Sequence, residues 1–489
     1  MLQLTNENNK SIIAQLPGEP LVWNIFAALC ETPHPSHYCD KIVPKLMELA
    51  AHFGFEATHD ADGNNVVIVK KADPGYENKP TVVLQGHSDM VAEKLPELVH
   101  DFKNDAIKLR IDGEWLKATN TTLGADDGVA TAFALAYMAT QKSGRIELLI
   151  TSNEEVGLLG ANALKKGFVT GKYLINIDSE EANEIAVGCA GSLSFYLTRD
   201  IKTEAKKQSA HHVAVTGGFG GHSGADIHCF RFNSLVGIGA LLDAARSADP
   251  EARLANIVAG KLRNAIPRDG SFDIVCNDAA VEAMKKTFNE IKEIYAVTDP
   301  SLKIEVTKTE VDGVYDAESS DAITDLLLIW PNGLWRINDQ GATESSNNLA
   351  SIAIADGVAT VTVSARSFID DALTHFYARS ARMAARCGFK ISEYWGNYSG
   401  WKPNYNSQLL AIAKDSFKQS FGTEPRVYAI HAGLECSILM AKDPVMEEAI
   451  SIGPTIVHAH SPDEACHIKE CVATYEAFVT LMENFYKNF

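Results

Sequence analysis

The stretch Arg145–Gly160, RIELLITSNEEVGLLG, joins a short apolar run to an adjacent pair of glutamates, Glu154 and Glu155. Glu147–Ser152 (ELLITS) has the length and the β-branched content of a buried strand, so both carboxylates stand just beyond a strand end. Side by side they repel each other. A divalent cation relieves that repulsion and divides their labour: one carboxylate ligates while its neighbour stays free to take a proton from water. A Glu-Glu dipeptide alone is more often a solvated helix start, so the weight of the reading falls on the surrounding segments.

Working outward, Val66–Lys70 (VVIVK), Thr81–Gln85 (TVVLQ) and Tyr173–Ile177 (YLINI) are further strand-like runs. Gly128–Thr140 (GVATAFALAYMAT) is a helix former that follows Asp126-Asp127, residues suited to an N-cap. Apolar strands separated by helices predict an α/β layer with a mixed, mostly parallel sheet, and in such sheets ligand sites gather beyond the strand C-termini. The pattern changes near Ala186–Ser192 (AVGCAGS). From His211 to about Trp395 it reads as two successive rounds of strand, helix and paired strands. The first takes strands His211–Thr216, Ile257–Leu262, Ser271–Cys276 and Lys303–Lys308, with helices Asn233–Ser247 and Ala280–Val297. The second takes helices Ser319–Leu328 and Asp371–Cys387, a hairpin of Ala350–Ile354 and Ala359–Ser364 turned at Asp356-Gly357, and strand Lys390–Tyr394. After Trp401 the α/β character returns, closing on an amphipathic helix over Ile468–Lys487. The expectation is one α/β catalytic domain from residues 1–186 and 400–489, with 187–399 inserted as an α+β lid of two ferredoxin-like units side by side.

Composition narrows the function classes. At 489 residues the chain exceeds one ordinary core. It is 46% apolar and 22% charged, with no 20-residue apolar span, and its first residues lack the basic start and apolar stretch of a secretory signal. Nine cysteines without regular spacing and without a CxxC pair argue against a disulfide framework and a thiolate zinc site, and for the reducing cytoplasm. With 44 Lys+Arg against 63 Asp+Glu, the net charge of −19 disfavours nucleic acid and anionic membrane as partners.

Further potential ligands sit at strand ends. TVVLQGHSDM places His87 and Asp89 just past Gln85, TLGADDG places Asp126 before a helix, and LINIDSE places Asp178 after Ile177. VHAHSPDE, far downstream, offers His458 and His460. Each is commonplace alone, but one α/β sheet would bring its strand ends to a common edge. Two cations about 3.5–4 Å apart share a bridging carboxylate and each take an imidazole and a further carboxylate, a set these residues can supply with Asp126 as the bridge. Asp89 is placed to hold the second nitrogen of His87. Nitrogen and oxygen ligands without sulfur suit Zn²⁺, with Co²⁺ or Mn²⁺ as substitutes.

GHSDM, GADDG, NEEVG, the aspartate after LINI and HSPDE together resemble the signatures of the M20 co-catalytic metallopeptidases. Total length, the long insert and HAGLECS (His431–Ser437) are most similar to its aminoacyl-histidine dipeptidase branch. The resemblance implies that His87 and Asp178 hold one zinc, Glu155 and His460 the other, and Asp126 both, with Glu154 as general base; His460 is preferred to His458 because it directly precedes Ser-Pro-x-Glu. It also implies that His222, in the glycine-rich GGFGGHSGADIH, polarises the scissile carbonyl, with Asn264 as a further substrate contact. Arg366 in VSARSF would grip the substrate's terminal carboxylate, as its bidentate guanidinium can. Gly433 and Glu435 would line the pocket for a substrate terminus. Hydrolysis of unblocked dipeptides, Xaa-His and carnosine-like ones among them, is the expected activity. An N-acyl amino-acid deacylase, an aminotripeptidase or a non-catalytic metal- or peptide-binding protein are the alternatives. Supply of His222 within one chain and supply across a homodimer both remain open.

Overall fold

Buried strand runs with polar punctuation sort this chain into two compact units. The structure, a computed structural model, describes residues 2–60, 62–393 and 397–489. The first unit runs to Gly188 and resumes over Trp401–Ala429 and Leu434–Phe489; the second is Cys189–Gly400 with Ile430–Gly433. That last short segment was expected in the first unit. It joins the second because Ala190 donates its backbone N–H to the carbonyls of Ile430 and Ala432, each at 3.0 Å.

The first unit is built on an eight-stranded sheet with spatial order Glu56–Asp60, Asn65–Lys70, Ile146–Thr151, Val82–His87, Tyr173–Asn176, Glu448–Ser451, Glu184–Cys189, Arg426–Ile430. Val82–His87 is parallel to both Ile146–Thr151 and Tyr173–Asn176, and Tyr173–Asn176 is parallel to Glu448–Ser451. Their C-terminal ends therefore share one edge. Asn65–Lys70 joins antiparallel, which makes the sheet mixed, as expected. Ile146–Thr151 and Val82–His87 are buried along their whole length, the environment that selects continuous apolar strands.

Helix Ala125–Thr140 is apolar nearly all round because both its faces are covered. Phe133 packs on Tyr475, and Tyr137 on Phe478, of the closing helix Ile468–Asn488. Regular helical geometry begins at Gly128: Asp126 (φ −82°, ψ 102°) and Asp127 (φ −119°, ψ 33°) are extended or irregular, and the peptide bond between them is cis. Neither aspartate caps this helix. Asp127 is buried and accepts the backbone N–H of His87 at 3.0 Å, which corrects the N-cap expectation.

The second unit is one continuous sheet of nine strands. Its path is Lys303–Tyr315, Thr203–Thr216, Gly270–Val275, Arg253–Ala259, Thr343–Ala355, Val358–Ser367, Gly191–Asp200, Lys390–Glu393, with Gly333–Ile337 beside Thr343–Ala355. Helices Ser234–Ala248, Asp278–Ile294, Ala317–Ile329 and Asp370–Arg386 cover it, burying Leu241, Met284, Leu326 and Phe376 in a common core with Val213, Ile257, Phe272 and Val361. Two ferredoxin-like orders are present, but nested rather than successive. Gly191–Asp200 is the first strand of the second motif, and the whole first motif (203–315) is inserted between it and helix Ala317–Ile329. The two motifs join where Ala259 pairs with Ile352. Asp356 and Gly357, with φ of 50° and 74°, turn the expected hairpin. The expected strand end at Tyr394, and Trp395, lie outside the described residues.

Phe133 is fully buried between the sheet and the closing helix. Phe133→Ala should cost about 3–5 kcal/mol of stability. Urea unfolding should show a lower midpoint, and an unchanged midpoint would contradict this packing.

Candidate active site

Three neighbouring parallel strands of the first unit deliver imidazole or carboxylate side chains to the shared edge. His87 is the last residue of its strand, Glu154 and Glu155 follow Thr151, and Asp178 follows Asn176 by two residues. Asp126 comes from the irregular turn before its helix, and His460 from the loop between Ile456–Val457 and Ala465–His467. These segments meet. His87 Nε2 lies 3.0 Å from Asp126 Oδ1 and 3.4 Å from Asp178 Oδ1. His460 Nε2 lies 3.3 Å from Asp126 Oδ2 and 2.9 Å from Glu155 Oε2. Asp126 thus stands between two half-sites, facing His87 and Asp178 with one oxygen and His460 and Glu155 with the other side of the carboxylate.

The orientation of His87 is set by its surroundings: Nδ1 donates to the carbonyl oxygen of Asp89 at 2.9 Å, which directs Nε2 at the carboxylates. The sequence placed the carboxylate of Asp89 in that role, and its Oδ1 lies 3.7 Å from Nδ1. That carboxylate also accepts the backbone N–H of Glu154 at 2.9 Å and the hydroxyl of Ser36 at 2.8 Å. Asp89 therefore fixes the imidazole through its backbone and Glu154 through its side chain.

Electrostatics make this an unusual neighbourhood. Burial opposes charge on His87, yet Asp178 and Asp126 outweigh it and hold the imidazole well above its ordinary pKa. Hydrogen bonds to Asp126 and Glu155 push His460 up to about 11. Burial raises Glu154 well above the carboxylate range, with Asp178, Glu435 and Glu155 adding to it, and burial raises Glu155 and Asp178 as well. Burial also opposes ionisation of Asp126, but bonds from His460 and His87 hold it below the usual range. Among the described residues no lysine or arginine nitrogen lies within 4 Å of these four carboxylates. Glu155 Oε1 is buried without a hydrogen-bond partner. Ligand atoms of His87, Asp126 and Glu155 lie within 4.8 Å of one another, as do those of His87, Asp127 and Asp178. Imidazole and carboxylate donors with an orphaned oxygen and no compensating cation fit a divalent metal centre.

Glu435 is fully buried in the first unit. Its Oε2 accepts from Gln85 Nε2 at 2.6 Å and from Thr151 Oγ1 at 2.5 Å, so this oxygen belongs to the sheet's polar floor, while Oε1 is buried without a hydrogen-bond partner. Burial pushes it up to about 8. The sequence offered no signal for this network, which continues through Asn176 Nδ2 to Gln85 Oε1 at 2.7 Å and through Ser451 to Asn176.

His222, Asn264, Arg366 and Gly433 belong to the second unit. Gly221–His222 pairs with Ala265–Ile266, which puts Asn264 beside it; Asn264 is exposed and its carbonyl accepts from Ser223 at 2.8 Å. His222 Nδ1 accepts the backbone N–H groups of Gly224 (3.3 Å) and Ala225 (3.0 Å), so its proton resides on Nε2. Burial, with Arg366 and Arg263, lowers its pKa to about 4, making it a neutral donor. Arg366 is only 5% exposed; its Nη1 donates to Tyr398 Oη at 3.3 Å, its Nε is orphaned, and among the described residues no carboxylate lies within 4 Å. Gly433 lies against the same phenol: a Cβ there would sit 2.4 Å from Tyr398 Oη. Tyr398 and the buried pair His431 Nε2 and Ser346 Oγ (2.7 Å) were not singled out by sequence, although His431 lies in the quoted HAGLECS.

Residues 83–484 match the model of peptidase family M20/M25/M40. The chain is 36% identical over 488 residues to the cytosol non-specific dipeptidase of Escherichia coli (strain K12), covering 96% of this chain and 98% of that one. The crystal structure of aminoacylhistidine dipeptidase from Vibrio alginolyticus superposes with a TM-score of 0.86 at 35% identity, over 96% of this chain and 97% of that one. An M20 family metallo-carboxypeptidase, Sso-CP2 from Sulfolobus solfataricus, shares the fold at 14% identity and a TM-score of 0.52, over 96% and 100% of the two chains. With the family model matched over most of its length, the chain belongs to peptidase family M20/M25/M40, and it is a metal-dependent hydrolase of peptide bonds.

Proposed function

We propose that this protein is a cytoplasmic dinuclear zinc dipeptidase acting on unblocked dipeptides, Xaa-His among them. The observation that carries the reading is the convergence of His87, Asp126, Glu155, Asp178 and His460, with no lysine or arginine among the described residues paired to their carboxylates. His87 and Asp178 would hold one ion, Glu155 and His460 the other, and Asp126 both. When bound, the ions supply Lewis acidity that polarises the scissile carbonyl and acidifies water.

The chain's own groups do the rest. Glu154 is held through its backbone by Asp89, which leaves its carboxylate to take a proton from the attacking water and return it to the departing amine. His222 presents Nε2–H and stays neutral, so it stabilises the developing oxyanion by donating a hydrogen bond, not by transferring a proton. Arg366, buried and without a carboxylate of its own, pairs with the free C-terminus of the substrate and sets the length that is accepted. Asn264 and Gly433 complete the substrate contacts in the second unit. Similarity to a dipeptidase named non-specific and to one named for aminoacylhistidine supports dipeptides as the substrate class.

Steady-state assays on zinc-loaded protein with Ala-Ala, Ala-His, β-Ala-His, a tripeptide and an N-acetyl amino acid test this directly. Turnover should be confined to the dipeptides; preference for the tripeptide or the N-acetyl compound would overturn it. Glu154→Gln should retain its zinc and lose about 10²–10⁴-fold in kcat, the range for removing a general base. A kcat near the unsubstituted value would remove Glu154 from that role. Amidating the dipeptide's C-terminus should lower kcat/KM by about 10- to 100-fold if Arg366 binds the carboxylate. Equal kcat/KM on the two substrates would contradict that contact.

A further inference from the structure

Helix Ala125–Thr140 starts without a cap from its own chain neighbourhood: Gly124 holds the cap position in a left-handed conformation (φ 71°, ψ 27°) and offers no side chain. The irregular turn Leu123–Asp126, ahead of the regular helix at Gly128, has buried backbone N–H groups that need partners. One carboxylate from far along the sequence meets them. Glu464 Oε2 accepts from Leu123 N at 2.6 Å and Gly124 N at 3.1 Å, and its Oε1 accepts from Ala125 N at 2.8 Å and, at 3.5 Å, from Asp126 N. Glu464 is 2% exposed.

The segment that carries Glu464 is the one that carries His460, and it is braced. Ser461 Oγ donates to the carbonyl of His458 at 2.8 Å and accepts from Asp463 N at 3.2 Å, and Glu464 N donates back to the carbonyl of Ser461 at 3.0 Å. Beyond the turn, Ala465–His467 is locked between Ile456–Val457 and Trp115–Ala118. One rigid turn thus presents an imidazole to Asp126 Oδ2 and a carboxylate to the backbone that places Asp126.

We propose that Glu464 is a positioning residue for the metal centre: it fixes the backbone of Leu123–Asp126 relative to His460, so that the bridging carboxylate and the imidazole are set at ligand distance before metal arrives. The inference rests on the metal assignment of Asp126 and His460. Metal sites demand ligand placement within a few tenths of an ångström, and partners that orient ligands typically carry 10–100-fold in affinity. Any loosening of this clamp therefore appears in zinc affinity.

The test compares zinc titrations of the metal-free full chain, against a competing chelator, for the unsubstituted protein, Glu464→Gln, Glu464→Asp and Phe133→Ala. Phe133→Ala loosens the same helix without touching the clamp, so it separates positioning from general stability. Glu464→Gln should weaken zinc binding about 10- to 100-fold, because an amide NH₂ would face backbone N–H groups. Glu464→Asp, which keeps the charge but shortens the reach, should weaken it too. Phe133→Ala should lower the thermal midpoint and leave zinc affinity unchanged. Unchanged affinity in both Glu464 variants overturns the proposal, as does an equal loss in Phe133→Ala. If Glu464→Gln does not fold, the Glu464→Asp titration decides alone. Failure of the unsubstituted chain to bind zinc would refute the metal assignment itself.

Discussion

Three carboxylates held within 3.4 Å of two imidazoles, with no lysine or arginine nitrogen within 4 Å among the described residues, are the constraint around which this protein is arranged. Two like charges 4 Å apart repel by about 4 kcal/mol at an effective dielectric constant near 20. Such a cluster persists only if protons or cations share it. The raised pKa values of His87, His460, Glu154, Glu155 and Asp178 are the protonic answer, and divalent metal would be the catalytic one. The parallel strands supply the confinement: their ends arrive at one edge whatever the side chains would prefer.

Confinement requires a rigid floor. Gln85, Thr151, Asn176, Ser451 and Glu435 hydrogen-bond to one another directly beneath the ligands, so the strand ends cannot splay to relieve repulsion. Glu435 gives one oxygen to that floor and keeps Oε1 buried without a hydrogen-bond partner. Above it, Asp89 holds Glu154 and Glu464 holds the backbone of Asp126, each through N–H groups that any side chain at those positions would provide. The second unit has a different electrostatic character. There a neutral imidazole with a fixed tautomer and a buried guanidinium without a carboxylate await groups that the chain itself does not supply.

The metal-ligand candidates were legible because each lies within a few residues of a strand run or a helix start, where an α/β sheet exposes its ends. Glu154 and Glu155 after ELLITS and Asp178 after YLINI needed only that geometry to be noticed. The nested order of the second unit was not legible. Gly191–Asp200 pairs with Val358–Ser367, and nothing local in GSLSFYLTRD says that its partner lies beyond a complete inserted motif. The helices Pro20–Cys30 and Ile42–His52 and the strand Glu448–Ser451 also passed without notice, the last because EAIS is too short to show a period. Asp89 and Glu464 act on backbone amides, which leave no trace in side-chain pattern. That is why the sequence paired Asp89 with His87 but missed its hold on Glu154, and assigned Glu464 no role.

X-ray diffraction at the zinc absorption edge, from crystals of the full chain soaked in zinc, tests the central claim most directly. Two anomalous peaks per chain are expected, one at ligand distance from His87 and Asp178, the other from Glu155 and His460, with Asp126 reaching both. No peak among these side chains, or peaks only at surface sites, would contradict it.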